Sequence, residues 1–398
     1  MAEKEMHVTA SSTDGGVTLG YETASGRSEV YVRSKDIRLT PNSEACVTSG
    51  LLPCMVTGSD LVLQGPISER FLHSLDTIRI LYRQWYPYLR AVNVRGATPV
   101  RRDANRDGRV AILFSAGVDS FYTLLERRNE ITDLVFVRGF EYPAEEGALL
   151  DRMAEPVHRT AERLGMGVIE LETNLRPFLL SHGLRWGLHG GGATKATLGQ
   201  MLYPHFKRIY YGAGCTYAEL IPWGSHPVLD PMWSTEGLEF VHHGVDANRI
   251  EKLRVLAQHD WILDSLRCCN ERPTRALNCG RCEKCMRTML NLLIVGALDR
   301  CQTFEAGLDA RRLSTIRLHT GHIVALMRQN IAALEQGGHP KEYVRALKTA
   351  LRRSRREAAF RELMESTFPA VMSGLRKLRN LGRPASRRGG ENTMQVAG

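Results

Sequence analysis

Two short stretches of this 398-residue chain hold residue types that do chemistry together. The first is Ser115-Ala116-Gly117-Val118-Asp119-Ser120, between the apolar run at 109–114 and the helix-like stretch at 119–128. Small residues let backbone N–H groups approach an anion, and a helix N-terminus adds orphan donors and positive potential. Ser115 and Ser120 add hydroxyls. Asp119 would repel a phosphate unless a cation lies between, so it points to Mg²⁺ or else to a helix cap. The plainer alternative is an ordinary strand-to-helix turn. The loop is neither G-x-x-x-x-G-K-[ST] nor G-x-G-x-x-G.

The second stretch holds five of the nine cysteines: Cys268, Cys269, Cys279, Cys282 and Cys285. The N-terminus lacks the pattern of an export signal, so a cytoplasmic protein is expected and metal is a better reading than disulfides. Four thiolates at this spacing suit a closed tetrahedral Zn²⁺ site, structural rather than catalytic. An Fe–S cluster is the rival. The adjacent pair leaves the first ligand ambiguous; Cys269 is favoured, with Cys279, Cys282 and Cys285.

The elements that must position these residues follow from apolar patterning. Strand-like runs at 109–114, 133–137, 168–171, 208–212 and 238–243 alternate with helical stretches near 119–128, 143–164 and 193–203. That alternation predicts a doubly wound parallel sheet with ligands at the carboxyl ends of its strands. Before it, residues 1–104 read as β-rich, with runs at 17–21, 29–33 and 60–64. A helix then starts at the N-cap Ser68, with Phe71, Leu75, Ile78, Tyr82 and Trp85 on one face. The expected organisation is an N-terminal α+β region (1–104), an α/β domain that carries the 115–120 loop (105–264), a zinc element (265–300), a helical region (301–375) and a disordered basic tail (376–398).

The loop resembles the S-G-G-x-D-S signature of the PP-loop ATP pyrophosphatases, and the cysteines resemble the zinc element of its QueC (7-cyano-7-deazaguanine synthase) branch. Both motifs occur in the family's order, over about residues 105–300; neither flank resembles the compact QueC enzyme. The resemblance implies an adenine nucleotide alpha hydrolase-like fold and cleavage of ATP, with Mg²⁺, between the α and β phosphates. AMP is transferred to a carboxylate or carbonyl oxygen and then displaced by ammonia or an amine. It assigns Ser115, Ala116, Gly117, Val118, Asp119 and Ser120 to the nucleotide phosphates, with Asp119 and Ser120 catalytic. Gly139 and Phe140, after the second strand, fall where the family places its adenine pocket. Where the family has its first glycine this chain has Ala116, which fits only if that position needs no positive φ.

Other candidates come from residue type and place. Lys195 is positioned to reach phosphate from the first turn of a helix that follows Trp186, His189 and the glycines at 190–192. Arg249 and Lys252 share a helix face at i, i+3 and would hold the leaving pyrophosphate. His226, in a Pro-, Trp- and Gly-rich loop with Glu219 and Asp230 that reads as a substrate lid, is a candidate proton carrier. Cys215 is a candidate nucleophile or persulfide carrier, competing with an inert thiol.

The charge is uneven: residues 341–398 hold 14 Lys/Arg against 5 Asp/Glu, nearly all of the net +10. A near-neutral body with one basic segment argues less for nucleic acid than an evenly basic chain would. The expected partner is a small acid or a deazapurine-like molecule; a homodimer is left open, and no apolar run suits a membrane. Two rivals stand beside the AMP-forming ligase: a sulfur transferase using the same adenylation, and a nucleic-acid or partner-binding module using the basic C-terminus.

Overall fold

The computed structural model of the chain describes residues 4–105, 108–318 and 321–367. The chain divides into two units: residues 1–256 with 265–267, and residues 257–264 with 268–398.

The first unit holds a mostly parallel ten-stranded sheet. Its strands are β1 (Glu5–Thr13), β2 (Gly16–Thr23), β3 (Gly26–Arg33), β4 (Asp60–Ser68), β5 (Val94–Val100), β6 (Arg109–Leu113), β7 (Asp133–Arg138), β8 (Gly167–Thr173), β9 (Phe206–Gly212) and β10 (Glu239–His243). Its helices are α1 (Ser43–Thr57), α2 (Glu69–Trp85), α3 (Val118–Glu126), α4 (Gly147–Leu164), α5 (Leu175–Ser181), α6 (Gly191–Leu202) and α7 (Arg249–Leu256).

The sheet order is β10-β9-β6-β7-β8-β3-β2-β1-β4-β5. Strands β10, β9, β6, β7 and β8 run parallel. The chain winds outward from β6 through β7 to β8, then returns to the other side of β6 with β9. The sheet therefore reverses direction at β6, and the crevice outside its carboxyl end is where such sheets take ligands. The residues explain the placement: Val110, Ala111 and Ile112 of β6 and Leu134 and Val135 of β7 are buried. Strands covered on both faces read as continuous apolar runs.

The N-terminal region is not separate. Strand β3 pairs antiparallel with β8, Val32 opposite Thr173 and Arg33 opposite Glu172, so the expected boundary at 104/105 falls inside one sheet and one core. That core joins Val17, Leu19 and Tyr21 to Phe206, Ile209 and Phe240. Ser68 caps α2 by accepting the Phe71 N–H at 3.0 Å, and Phe71, Leu75, Ile78 and Tyr82 are buried as its spacing predicts. Helix α1 was not expected. It starts at Asn42, whose side chain accepts the Ala45 N–H, and ends at Gly58 in the left-handed region.

The second unit is helical: α8 (Asp260–Leu263), α9 (Glu283–Ile294), α10 (Ala310–Thr315), α11 (Gly321–Gln336) and α12 (Lys341–Thr367). Met286, Met289, Leu290, Met327, Leu334 and Leu347 form its core. The four-cysteine segment belongs to the same unit as these helices. The tail at 376–398, and the end of the helical region beyond 367, lie outside the described residues. Among the described residues, no helix is long and apolar enough to cross a membrane.

Candidate functional site

The 115–120 loop leaves the carboxyl end of β6 and enters α3. Ala116 is buried with φ of 54°. The condition under which alanine would fit here without strain, a position that needs no positive φ, is therefore not met. The chain turns through the left-handed region with an L-residue, at roughly 1–2 kcal/mol. The turn persists because its carbonyls are held. Arg267, 4% exposed, donates its main-chain N–H to Ala116 O at 2.8 Å and its Nε to Ser115 O at 3.0 Å. Its guanidinium also pairs with the Glu141 carboxylate. Arg267 carried no signal in the sequence. Ser120 turns back on its own loop: its hydroxyl donates to Gly117 O at 3.0 Å and lies 3.1 Å from Gly117 N, so it caps α3.

Asp119 lies inside the first turn of α3, past its N-cap position at Gly117. Its two oxygens meet two cations, Oδ2 with Arg249 Nη1 at 3.2 Å and Oδ1 with Lys252 Nζ at 3.3 Å. The two basic residues named for a shared helix face are thus brought to the phosphate-type loop. Lys252 is 1% exposed and also donates to Ala213 O at 2.5 Å, just past β9. Gly212 allows this packing, since a Cβ there would stand 2.7 Å from Asp119 O. Arg249 keeps a buried Nε with no partner among the described residues. Two buried cations against one carboxylate leave a net positive charge beside a helix N-terminus, an arrangement that attracts a polyanion.

A second polar group lies at the carboxyl ends of β9 and β10. Lys195 Nζ donates to Ser225 Oγ at 3.1 Å and stands 5.1 Å from the Tyr211 ring centre. Ser225 donates to Asp230 Oδ2 at 2.6 Å, and His242 Nδ1 lies 2.8 Å from the same oxygen. Burial lowers the Lys195 pKa, opposed by the charges of Asp230 and Asp119. Asp230 is fully buried, and its Oδ1 has no partner among the described residues. His242 carried no mark in the sequence, whereas His226 did.

His226 lies in the loop between β9 and β10. It packs on Trp85 at 5.0 Å, its Nδ1 accepts the Val228 N–H at 3.1 Å, and it is buried. That nitrogen makes a structural contact within its own loop and leaves Nε2 as the ring nitrogen for the expected proton transfer. His189 is structural: Nδ1 accepts the Arg185 N–H at 2.8 Å, leaving Nε2 to bond Tyr88 Oη at 2.5 Å. Burial pushes its pKa down to about 4.

Gly139 turns at φ of 99°, where a Cβ would stand 1.9 Å from Thr173 O. Phe140 follows it and packs on Trp186, ring centres 4.5 Å apart. Cys215, half-buried, follows the Gly212-Ala213-Gly214 turn after β9.

In the second unit, the Sγ atoms of Cys269, Cys279, Cys282 and Cys285 lie within 4.8 Å of one another. Backbone N–H groups point at the sulfurs: Glu271 N to Cys269 Sγ at 3.3 Å, Arg281 N to Cys279 Sγ at 3.3 Å, and Cys285 N to Cys282 Sγ at 3.4 Å. Gly280, at φ of 68°, makes the turn that presents them. N–H donors aimed at sulfur favour the thiolate, the form that binds metal. The four-cysteine set therefore fits a tetrahedral metal such as zinc. Cys268 stands outside it, with its Sγ 4.0 Å from that of Cys285. Asn278 Oδ1 accepts both the Cys268 and Cys269 N–H groups, at 2.7 and 3.0 Å.

No family model, curated protein or solved structure matches this chain.

Proposed function

We propose that the chain is an ATP-dependent enzyme of the PP-loop, QueC-like kind. It adenylates a carboxylate or carbonyl oxygen, releases pyrophosphate, and lets ammonia or an amine displace AMP. The observation that carries this reading is the Asp119–Arg249–Lys252 group beside the turn at the carboxyl end of β6. Arg249 and Lys252 would take the charge of the departing pyrophosphate, and the α3 N-terminus would hold the adjacent phosphates. Asp119 would hold Mg²⁺, since a paired carboxylate oxygen retains a further lone pair. Mg²⁺ would supply charge neutralisation on the phosphates. Zn²⁺ on Cys269, Cys279, Cys282 and Cys285 would be structural, because four thiolates leave no open position.

In the reaction, the acceptor oxygen attacks the α phosphorus, and the bond from that phosphorus to the bridging oxygen breaks. Positioning and fixed charge contribute more than any covalent enzyme intermediate. Sulfur transfer is the second reading, favoured by the half-buried Cys215 past the end of β9. The test is product analysis with ATP, Mg²⁺, ammonium and a panel of carboxylic acids. AMP with pyrophosphate is expected, together with an acyl adenylate by mass spectrometry. ADP as the stoichiometric product rejects the reading.

A further inference from the structure

The turn at Ala116 needs something to hold it, and one residue holds it on both sides. Arg267 fixes two consecutive carbonyls, that of Ser115 through its Nε and that of Ala116 through its own main-chain N–H. An L-residue at φ of 54° persists only where its surroundings over-determine it. Both bonds go to carbonyl oxygens, so neither competes for the N–H groups that an anion would use. The guanidinium is nonetheless a buried cation near an anion site. Glu141, past the end of β7, pairs its carboxylate with that cation.

We propose that Arg267 is a positioning residue that holds the 115–120 loop in its anion-binding conformation. Glu141 is the counter-charge that keeps the guanidinium on the Ser115 carbonyl rather than on the bound anion. The proposal rests on reading the loop as a phosphate site. Lysine cannot replace this arginine, because a single ammonium lacks the planar fork that serves Ser115 O and Glu141 together.

The experiment titrates the full chain with Mg·ATP and with inorganic pyrophosphate, and reads hydrogen exchange of the amides at 116–121 in parallel. Arg267→Ala and Arg267→Lys should each weaken Mg·ATP binding at least tenfold and speed loop exchange. Ala116→Gly, added to Arg267→Ala, should recover most of the affinity, because glycine adopts this φ without strain. A role confined to overall stability gives no such rescue. Should Arg267→Ala fail to fold, Glu141→Gln carries the test: faster loop exchange, reversed by Ala116→Gly. Binding and exchange unchanged within twofold in Arg267→Ala, or a loss that Ala116→Gly does not restore, overturns the proposal. A native chain that binds neither probe rejects the nucleotide reading instead, and the exchange rates still decide whether Arg267 holds the loop.

Discussion

Asp119 pairs with two cations, one of them almost wholly buried, so its removal has opposite effects on folding and on anion binding. Asp119→Ala leaves Arg249 and Lys252 facing each other without a counter-charge. Breaking a buried pair from one side costs about 3 kcal/mol or more, but Asp119 is a quarter exposed, so about 1–2 kcal/mol is expected. Pyrophosphate should return that stability by taking the vacant place. In thermal melts, the variant should therefore gain more from millimolar pyrophosphate without Mg²⁺ than the native chain does. Equal gains would mean that the cations do not face the anion. Asp119 was legible in the sequence because a carboxylate in a phosphate-type loop is anomalous. Arg267 was not, because its partners Ser115 and Glu141 lie more than a hundred residues away and nothing local marks it.

Elements were legible where a single periodicity governed them. The strands β6, β7 and β9 read as apolar runs because consecutive residues of each are buried, and α2 read as a stripe because one face is. Helix α1 was missed for a physical reason: it is buried on nearly every side from Ser43 to Met55, so it shows no polar face and no stripe. A helix apolar all round cannot be told from other buried chain by period alone. The same coverage sets a pH response at the α5–α6 connection. His189 is buried as the neutral ring, with its pKa pushed down to about 4. Unfolded, it would titrate near 6.5. Between those values the unfolded chain binds more protons, so this contribution is complete above about pH 6.5 and is lost as pH falls toward 4. Urea midpoints measured from pH 7 to pH 4.5 should fall by an amount that His189→Gln reduces. A slope unchanged in that variant would show that other groups set it.

At the scale of the molecule, each unit is stabilised by a different means. The first unit has a ten-stranded sheet and a large apolar core, sufficient to fold without a ligand. The second has a smaller helical core and a segment from Cys268 to Cys285 with little regular structure of its own. The net charge is concentrated in the second unit too, yet Arg353 donates to Ile316 O at 2.5 Å, leaving Arg352, Arg355 and Arg356 as the exposed face of α12 in that stretch. Three exposed cations are an ordinary solvated helix face and weak ground for nucleic-acid recognition. The cysteine segment has little regular structure to order it, and its four-cysteine group could hold a metal such as zinc, which in small zinc modules stabilises the fold by on the order of 10 kcal/mol. Chelation should accelerate hydrogen exchange across residues 268–294, and added zinc should reverse it at about one equivalent per chain. Cys269→Ser, Cys279→Ser, Cys282→Ser and Cys285→Ser should each mimic chelation. Cys268→Ser should keep the metal, because its sulfur stands outside the group of four. Metal lost from Cys268→Ser and retained by Cys269→Ser would exchange the roles of the adjacent pair, and exchange rates indifferent to chelation would remove metal from the account of how this segment folds.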